Sequence, residues 1–111
     1  MEKIVEQGLL YDFYGELLTE HQKRIYEDAV YHDMSLSEIA DEHGISRQGV
    51  HDLIKRCDKS LSEYESRLHL VEKFTRTKEK VHALKEMLDK LEDKAVSRQL
   101  EALINEILEE L

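Results

Sequence analysis

The run Ser46-Arg47-Gln48-Gly49-Val50-His51-Asp52, followed by Lys55, Arg56 and Lys59, holds the side chains of this sequence best suited to specific hydrogen bonding. Arg47 can place two donors on guanine O6 and N7, and Gln48 can pair with adenine N6 and N7. His51 shares their face of a helix. Asp52 repels phosphate but can accept from cytosine N4. Lys55, Arg56 and Lys59 suit backbone phosphates, and Ser46 and Thr19 can offer hydroxyls at helix N-termini to the same groups. Taken singly, each charged residue fits a solvated helix face equally well. What gives them weight is the frame that holds them.

No such set exists for catalysis. There is no glycine loop to cradle phosphate and no nucleophile motif, and the carboxylates fall at the spacings of solvated helix faces. The sequence reads as that of a non-enzyme with no cofactor. Of the six histidines, His21, His32, His43, His51, His69 and His82, none has another histidine or a cysteine three or four residues away. A helical metal site needs that spacing, so no metal is expected. Cys57 is the only cysteine; it excludes an intrachain disulfide and reads as an inert thiol.

The frame runs from Leu36 to Lys55. Two helices that cross steeply need a small residue at the crossing, and Ala40 supplies it. The tight turn between them needs a residue that accepts positive φ, and Gly44 supplies it. Ile39, Ile45, Val50 and Leu53 fall where the pair must bury apolar groups. His43 stands where an apolar residue is usual. Ser35-Leu36-Ser37-Glu38 has the form of a capping box for the first helix, and Ser46 can cap the second. This is the pattern of a helix-turn-helix.

The flanking sequence reads as helix throughout. Val5, Leu9, Phe13 and Leu17 form a stripe, with Leu10 and Tyr14 beside it, weakened by Gly8 and Gly15. Thr19-Glu20-His21-Gln22 is another capping box and opens a helix to about His32, with Ile25, Ala29 and Val30 inward. The helix after Ser46 has no clear stop. Ile54, Cys57, Leu61, Tyr64, Leu68 and Val71 recur at alternating steps of three and four, a heptad-like seam. Its phase slips before Phe74, and Thr75 and Thr77 lower helix propensity, so a bend or break is expected near residues 72–77. Asp93 can cap a last helix, whose apolar face runs from Val96 to Leu111. The expected architecture is all-α: one domain over residues 1–111, a helix-turn-helix region at 17–61 and a helical tail at 62–111.

Composition fits this reading. Of the 111 residues, 41% are hydrophobic and 37% charged, and proline is absent, which favours long amphipathic helices. No run approaches the roughly 20 apolar residues of a membrane span. The N-terminus lacks the basic start and apolar stretch of a signal peptide, so a cytoplasmic location is expected. The net charge of −9 is unevenly spread. Residues 1–46 carry net −8, residues 47–80 net +3 and residues 81–111 net −4. The basic excess begins where the reading helix begins. It is small, so phosphate binding should be modest and salt-sensitive.

Two resemblances follow from these residues. Leu18-Thr19 with Gln22, Leu36-Ser37-Glu38-Ile39-Ala40, and Gly44-Ile45-Ser46-Arg47 with Val50 resemble the promoter-reading region of bacterial sigma factors, over about residues 17–61. Nearly the whole chain resembles the YlxM family of small helix-turn-helix proteins. Leu10-Tyr11-Asp12-Phe13-Tyr14, Leu17-Leu18-Thr19, Ser46-Arg47-Gln48-Gly49-Val50 and Glu63-Tyr64-Glu65 carry that likeness. The family resemblance implies a DNA-binding regulatory role and a link with the signal recognition particle. The alternative it leaves open is an accessory that docks on the RNA or the GTPase of that particle without reading DNA. Leu61, Tyr64, Leu68, Val71 and Phe74 are too many apolar groups to leave exposed. Either the stripe from Leu100 to Leu111 covers them or a second chain does, and the expectation is a homodimer held largely by the seam from Leu61 to Phe74 together with the C-terminal helix.

Overall fold

The computed structural model describes residues 2–111, and among these there are six α-helices and no strand. They are α1 (Lys3–Tyr14), α2 (Glu20–Val30), α3 (Leu36–His43), α4 (Arg47–Leu68), α5 (Leu70–Leu88) and α6 (Lys94–Glu110), with a 3-10 turn at Gly15–Leu17. A side chain next to the first turn caps four of the six starts. Thr19 Oγ1 accepts from the Gln22 N–H while Gln22 Oε1 accepts from the Thr19 N–H. Ser35 and Glu38 repeat that reciprocal pair at the head of α3. Ser46 accepts from Gly49 N–H at 2.9 Å, and Asp93 accepts from Ala95 and Val96. Each such cap contributes about 1 kcal/mol. Gly44 ends α3 with φ 67°, the left-handed conformation that lets Gly44 and Ile45 both donate toward Ala40 O. A Cβ there would meet nothing within 4 Å, so the demand for glycine is conformational and not steric.

The single domain expected from chain length resolves into two compact units, the first ending at Val71 and the second being Glu72–Leu111. In the first unit α4 packs against α1, α2 and α3 in turn. One cluster buries Leu10, Tyr14, Leu18, Tyr26, Cys57 and Leu61; the other buries Ile25, Ile39, Ala40 and Val50. The inward face of α1 differs from the expected stripe. Val5 and Leu17 are 49% and 58% exposed, and Leu10 and Tyr14 are buried instead. The reason is polar. Tyr14 buries its ring and still donates its hydroxyl to Glu65, while Tyr26 donates to Asp58 at 2.6 Å and Gln7 donates to the same carboxylate. Burial, reinforced by these carboxylates, raises the pKa of both phenols above its ordinary value, so they remain donors.

The long helix breaks earlier than the threonines suggest. It ends at Leu68, His69 takes a left-handed φ of 55°, and α5 starts at Leu70. The Tyr14–Glu65 pair explains the position. Tyr14 Oη accepts from the Leu70 N–H at 3.1 Å, and Glu65 Oε1 accepts from the Val71 N–H at 2.9 Å. Two orphan donors of a new helix are thus satisfied from the core. Thr75 and Thr77 lie within continuous helix.

The expected dimer seam is corrected at its centre. Leu61 is fully buried in the chain's own core, and Tyr64 and Val71 pack against the same cluster. These three are therefore not free to face a second chain. Leu68 is 49% exposed, and Phe74 is partly buried with Lys78 Nζ over its ring. The second unit is a hairpin of α5 and α6. It buries Val81, Leu88 and Ile104, and Ser97 Oγ closes its turn by donating to Leu88 O at 3.0 Å. Among the described residues no helix is long and apolar enough to cross a membrane.

Tyr14→Phe keeps the buried ring but deletes the hydroxyl that joins Glu65 to Leu70. It should destabilise the first unit by about 1.5–3 kcal/mol in urea unfolding, the worth of a hydrogen bond to a charged group. Amide exchange at Leu70 should quicken in the same variant; an unchanged rate there would mean that the hydroxyl does not hold the break.

Candidate nucleic-acid interface

Helix α4 carries two stripes with the same spacing. Val50, Ile54, Cys57 and Leu61 step by four, three and four, and all pack into the two core clusters. Gln48, Asp52, Lys55 and Lys59 step in the same way two residues earlier, and all are exposed. Two residues are about 200° of helix rotation, so one stripe faces inward and the other outward. Arg47 and Arg56 flank the outer stripe and are exposed, and His51 is half-buried beside it. The structure thus brings Arg47, Gln48, His51 and Asp52 together in the first two turns of α4. Lys55, Arg56 and Lys59 follow one to two turns further along the same helix.

The local geometry prepares some of these groups. Gln48 Nε2 donates to Asp52 Oδ1 at 3.0 Å, which holds the carboxamide still. Its second N–H and its oxygen remain for another partner, the pair that adenine N7 and N6 require. His51 Nδ1 lies 3.6 Å from Asp52 Oδ1 and has no hydrogen-bond partner. Thr19 and Ser46 each accept one backbone N–H in capping, which leaves each hydroxyl its proton to donate. Gly49 serves this cap. A Cβ at Gly49 would sit 3.0 Å from Ser46 Oγ, and no neighbouring helix comes within 4 Å of that position. The absence of a side chain at Gly49 thus makes room for the Ser46 cap and not for a neighbouring helix. Leu36, at the head of α3, joins Arg47, Gln48 and His51 in lining an open concavity of about 450 Å³. No sequence signal marks Leu36 for this surface, because its position fits the core equally well.

The odd histidine of the motif has a partner. His43 Nε2 donates to Asp28 Oδ2 at 2.9 Å, and His32 Nδ1 donates to Asp28 Oδ1 at 2.8 Å. A carboxylate only accepts, so both ring nitrogens carry the proton. Asp28 lies on α2 and His43 is the last residue of α3, so this bond ties the two helices behind the turn at Gly44. These bonds hold the Asp28 carboxyl below its ordinary pKa, with His43 the larger cause. Glu42 stands close by, and ligand atoms of Asp28, Glu42 and His43 lie within 4.8 Å of one another. Both oxygens of Asp28 are already engaged by imidazole N–H groups, and the cluster is a hydrogen-bonded clamp. Cys57 is fully buried, and burial pushes its thiol up to about 11, far from a reactive thiolate.

With a capped pair of crossing helices and an outward polar stripe in view, comparison with known proteins is decisive. The family model described as "Putative helix-turn-helix protein, YlxM / p13 like" matches residues 1–107. The chain belongs to this family. It is 44% identical to a UPF0122 protein of Symbiobacterium thermophilum, over 93% of this chain and 96% of that one. It is 46% identical to a UPF0122 protein of Clostridium botulinum over 100% of both chains. It is 40% identical to the UPF0122 protein YlxM of Bacillus subtilis, over 93% of this chain and 94% of that one. The match takes in α5 and all but the last turn of α6 as well as the helix-turn-helix.

The clamp sets a pH dependence. A carboxyl whose pKa is depressed on folding stabilises the folded state above its unfolded pKa, and loses that contribution as pH falls through the folded value. Stability should therefore drop as pH falls below about 3.8, the ordinary value of this carboxyl, toward its depressed one. Asp28→Asn should flatten that acid limb in thermal melts and lower stability at neutral pH. An unaltered acid limb would show that Asp28 makes no such contribution.

Proposed function

We propose that the protein is a DNA-binding regulator that inserts the first turns of α4 into a major groove. The observation that carries this reading is the cluster of Arg47, Gln48, His51 and Asp52 on the outward stripe at the N-terminal end of α4. That is where a helix-turn-helix meets base edges. Lys55, Arg56 and Lys59 continue along the helix toward phosphates, with the hydroxyls of Ser46 and Thr19 as neutral donors. Helix α3 adds little charge attraction, because Glu38, Asp41 and Glu42 are all exposed on it. Affinity then rests on few phosphate contacts, and discrimination rests on the base contacts. In this reading the protein acts in the cytoplasm without a cofactor or a catalytic step. It works as a homodimer, which presents two reading helices to two half-sites.

The acidic α3 and the net charge of −9 favour one other reading. In it the helix-turn-helix is a reused scaffold, and the protein docks on the RNA or the GTPase of the signal recognition particle.

Binding titrations at several salt concentrations separate the two. Arg47→Ala and Gln48→Ala should each cost about 1–3 kcal/mol at one base position and leave unfolding unchanged. Lys55→Ala and Arg56→Ala should weaken all sequences alike and each reduce the salt slope by about 1. Val50→Ala, in the core, should lower stability instead. A parent protein that binds no duplex DNA at low salt sinks the DNA reading, and the same variants then belong in titrations against the particle's RNA and GTPase.

A further inference from the structure

The hairpin of α5 and α6 leaves most of its apolar surface uncovered. Around Ile104 the two helices form a wholly apolar groove of about 220 Å³, lined by Leu84, Leu88, Leu100, Leu103, Ile104 and Ile107. Leu103 is 55% exposed and Leu84 46%, and Met87 beside them is 65% exposed. Two helices share only one seam and cannot keep water from both open edges. Bundles solve this with four helices. A continuous apolar face of this kind exceeds what a monomer ordinarily leaves in water.

The charges say what covers it. From Glu72 to Leu88, α5 carries five basic and three acidic residues, and α6 carries two basic and four acidic. The excess is polarised along each helix. Lys73, Arg76, Lys78 and Lys80 crowd the first half of α5, and Glu106, Glu109 and Glu110 crowd the end of α6. The two helices run antiparallel, with Lys85 beside Glu101 and Asn105. Each hairpin thus offers one basic and one acidic edge beside the same groove, which is the requirement for pairing with itself.

We propose that the groove is covered by the same groove of a second copy, as an antiparallel four-helix bundle with its two-fold axis along the helices. Each α5 then lies between its own α6 and the α6 of the second copy. Every adjacent pair is antiparallel, and every basic half meets an acidic half. Pairing α5 with α5 would instead set like charges together. The inference gives the homodimer of the DNA reading its surface, centred on Leu84 to Ile107 and not on Leu61 to Phe74. It rests on that reading for its use in half-site recognition, and on the hairpin alone for its existence.

Sedimentation equilibrium of the full chain at micromolar concentration tests it. The parent should run at twice the chain mass. Leu103→Lys, a change at an exposed position, should run at the chain mass with the helical circular dichroism of the parent. A second experiment uses charge. Lys80 precedes Leu84 by one turn, and Glu106 and Glu110 follow Leu103 by one and two turns. Lys73→Glu with Lys80→Glu, mixed with Glu106→Lys with Glu110→Lys, should give a mixed dimer at the expense of both homodimers in native mass spectrometry. That mixture decides the matter if Leu103→Lys loses its helix signal. A monomeric parent, including one that holds a foreign protein in the groove, overturns the proposal, as does a dimer that survives Leu103→Lys intact or mixes without preference. A monomer that binds DNA through Arg47 overturns the pairing alone, and a dimer that binds no DNA overturns the reading function alone.

Discussion

Burial of one stripe of α4 is the constraint on which the first unit depends. Val50, Ile54, Cys57 and Leu61 pack into the clusters that α4 shares with α1, α2 and α3, and α4 meets each of these helices more extensively than they meet one another. Rotating α4 by one residue would turn about 100° of its surface and expose this stripe. Burying each such side chain is worth about 1.5–3 kcal/mol, so the rotation is fixed far more firmly than any surface contact could fix it. The outward residues inherit that precision. Arg47, Gln48 and Asp52 face away from the core because residues two and three positions on must face into it.

Much of this was legible in the sequence because it is written locally. Capping boxes span four residues, and the left-handed turn is announced by one glycine; both are seen where they were expected, at Thr19, Ser35 and Gly44. The outward stripe of α4 was legible for the same reason, since periodicity alone assigns its face. What the sequence hid depends on partners far along the chain. Asp58 receives Tyr26 from 32 residues away and Gln7 from 51. No local pattern marks it as anything but a surface carboxylate. The break at His69 was placed several residues too late because its cause, Tyr14, lies 56 residues from Leu70. His43 is the intermediate case. It was visible as a misfit, and only the fold supplies Asp28, the partner that makes it fit.

The charge distribution constrains any nucleic-acid role physically. A protein of net −9 is repelled by a polyanion at long range, and at physiological salt that repulsion fades beyond about 8 Å. Contact is therefore governed by the charges within that distance of the groove. Along the outward stripe of α4 and its flanks Arg47, Lys55, Arg56 and Lys59 stand against Asp52 alone, while the exposed charges of α3, Glu38, Asp41 and Glu42, are acidic. A surface of this kind gains little from non-specific phosphate neutralisation, which supplies essentially all of non-specific binding. In the DNA-binding reading proposed above, such a surface would lose less affinity to random sequence and keep a larger share of its discrimination in hydrogen bonds to bases.

The same economy of charge explains why the core carries polar anchors. Asp58 and Glu65 stand seven residues apart on α4, two turns along one face, and each accepts a tyrosine hydroxyl from another helix. Apolar packing alone tolerates a slide along α4, since leucine and isoleucine surfaces repeat at every turn. A phenol bonded to one particular carboxylate does not, because a slide of one turn would leave a buried phenol unpaired. Tyr26 fixes α2 at Asp58, and Tyr14 fixes α1 at Glu65. The Glu65 anchor also receives the Val71 N–H, so the bond that sets the register of α1 sets the end of α4 as well. Register at one end and rotation along the length together leave the Arg47 turn of α4 no freedom except that of its side chains.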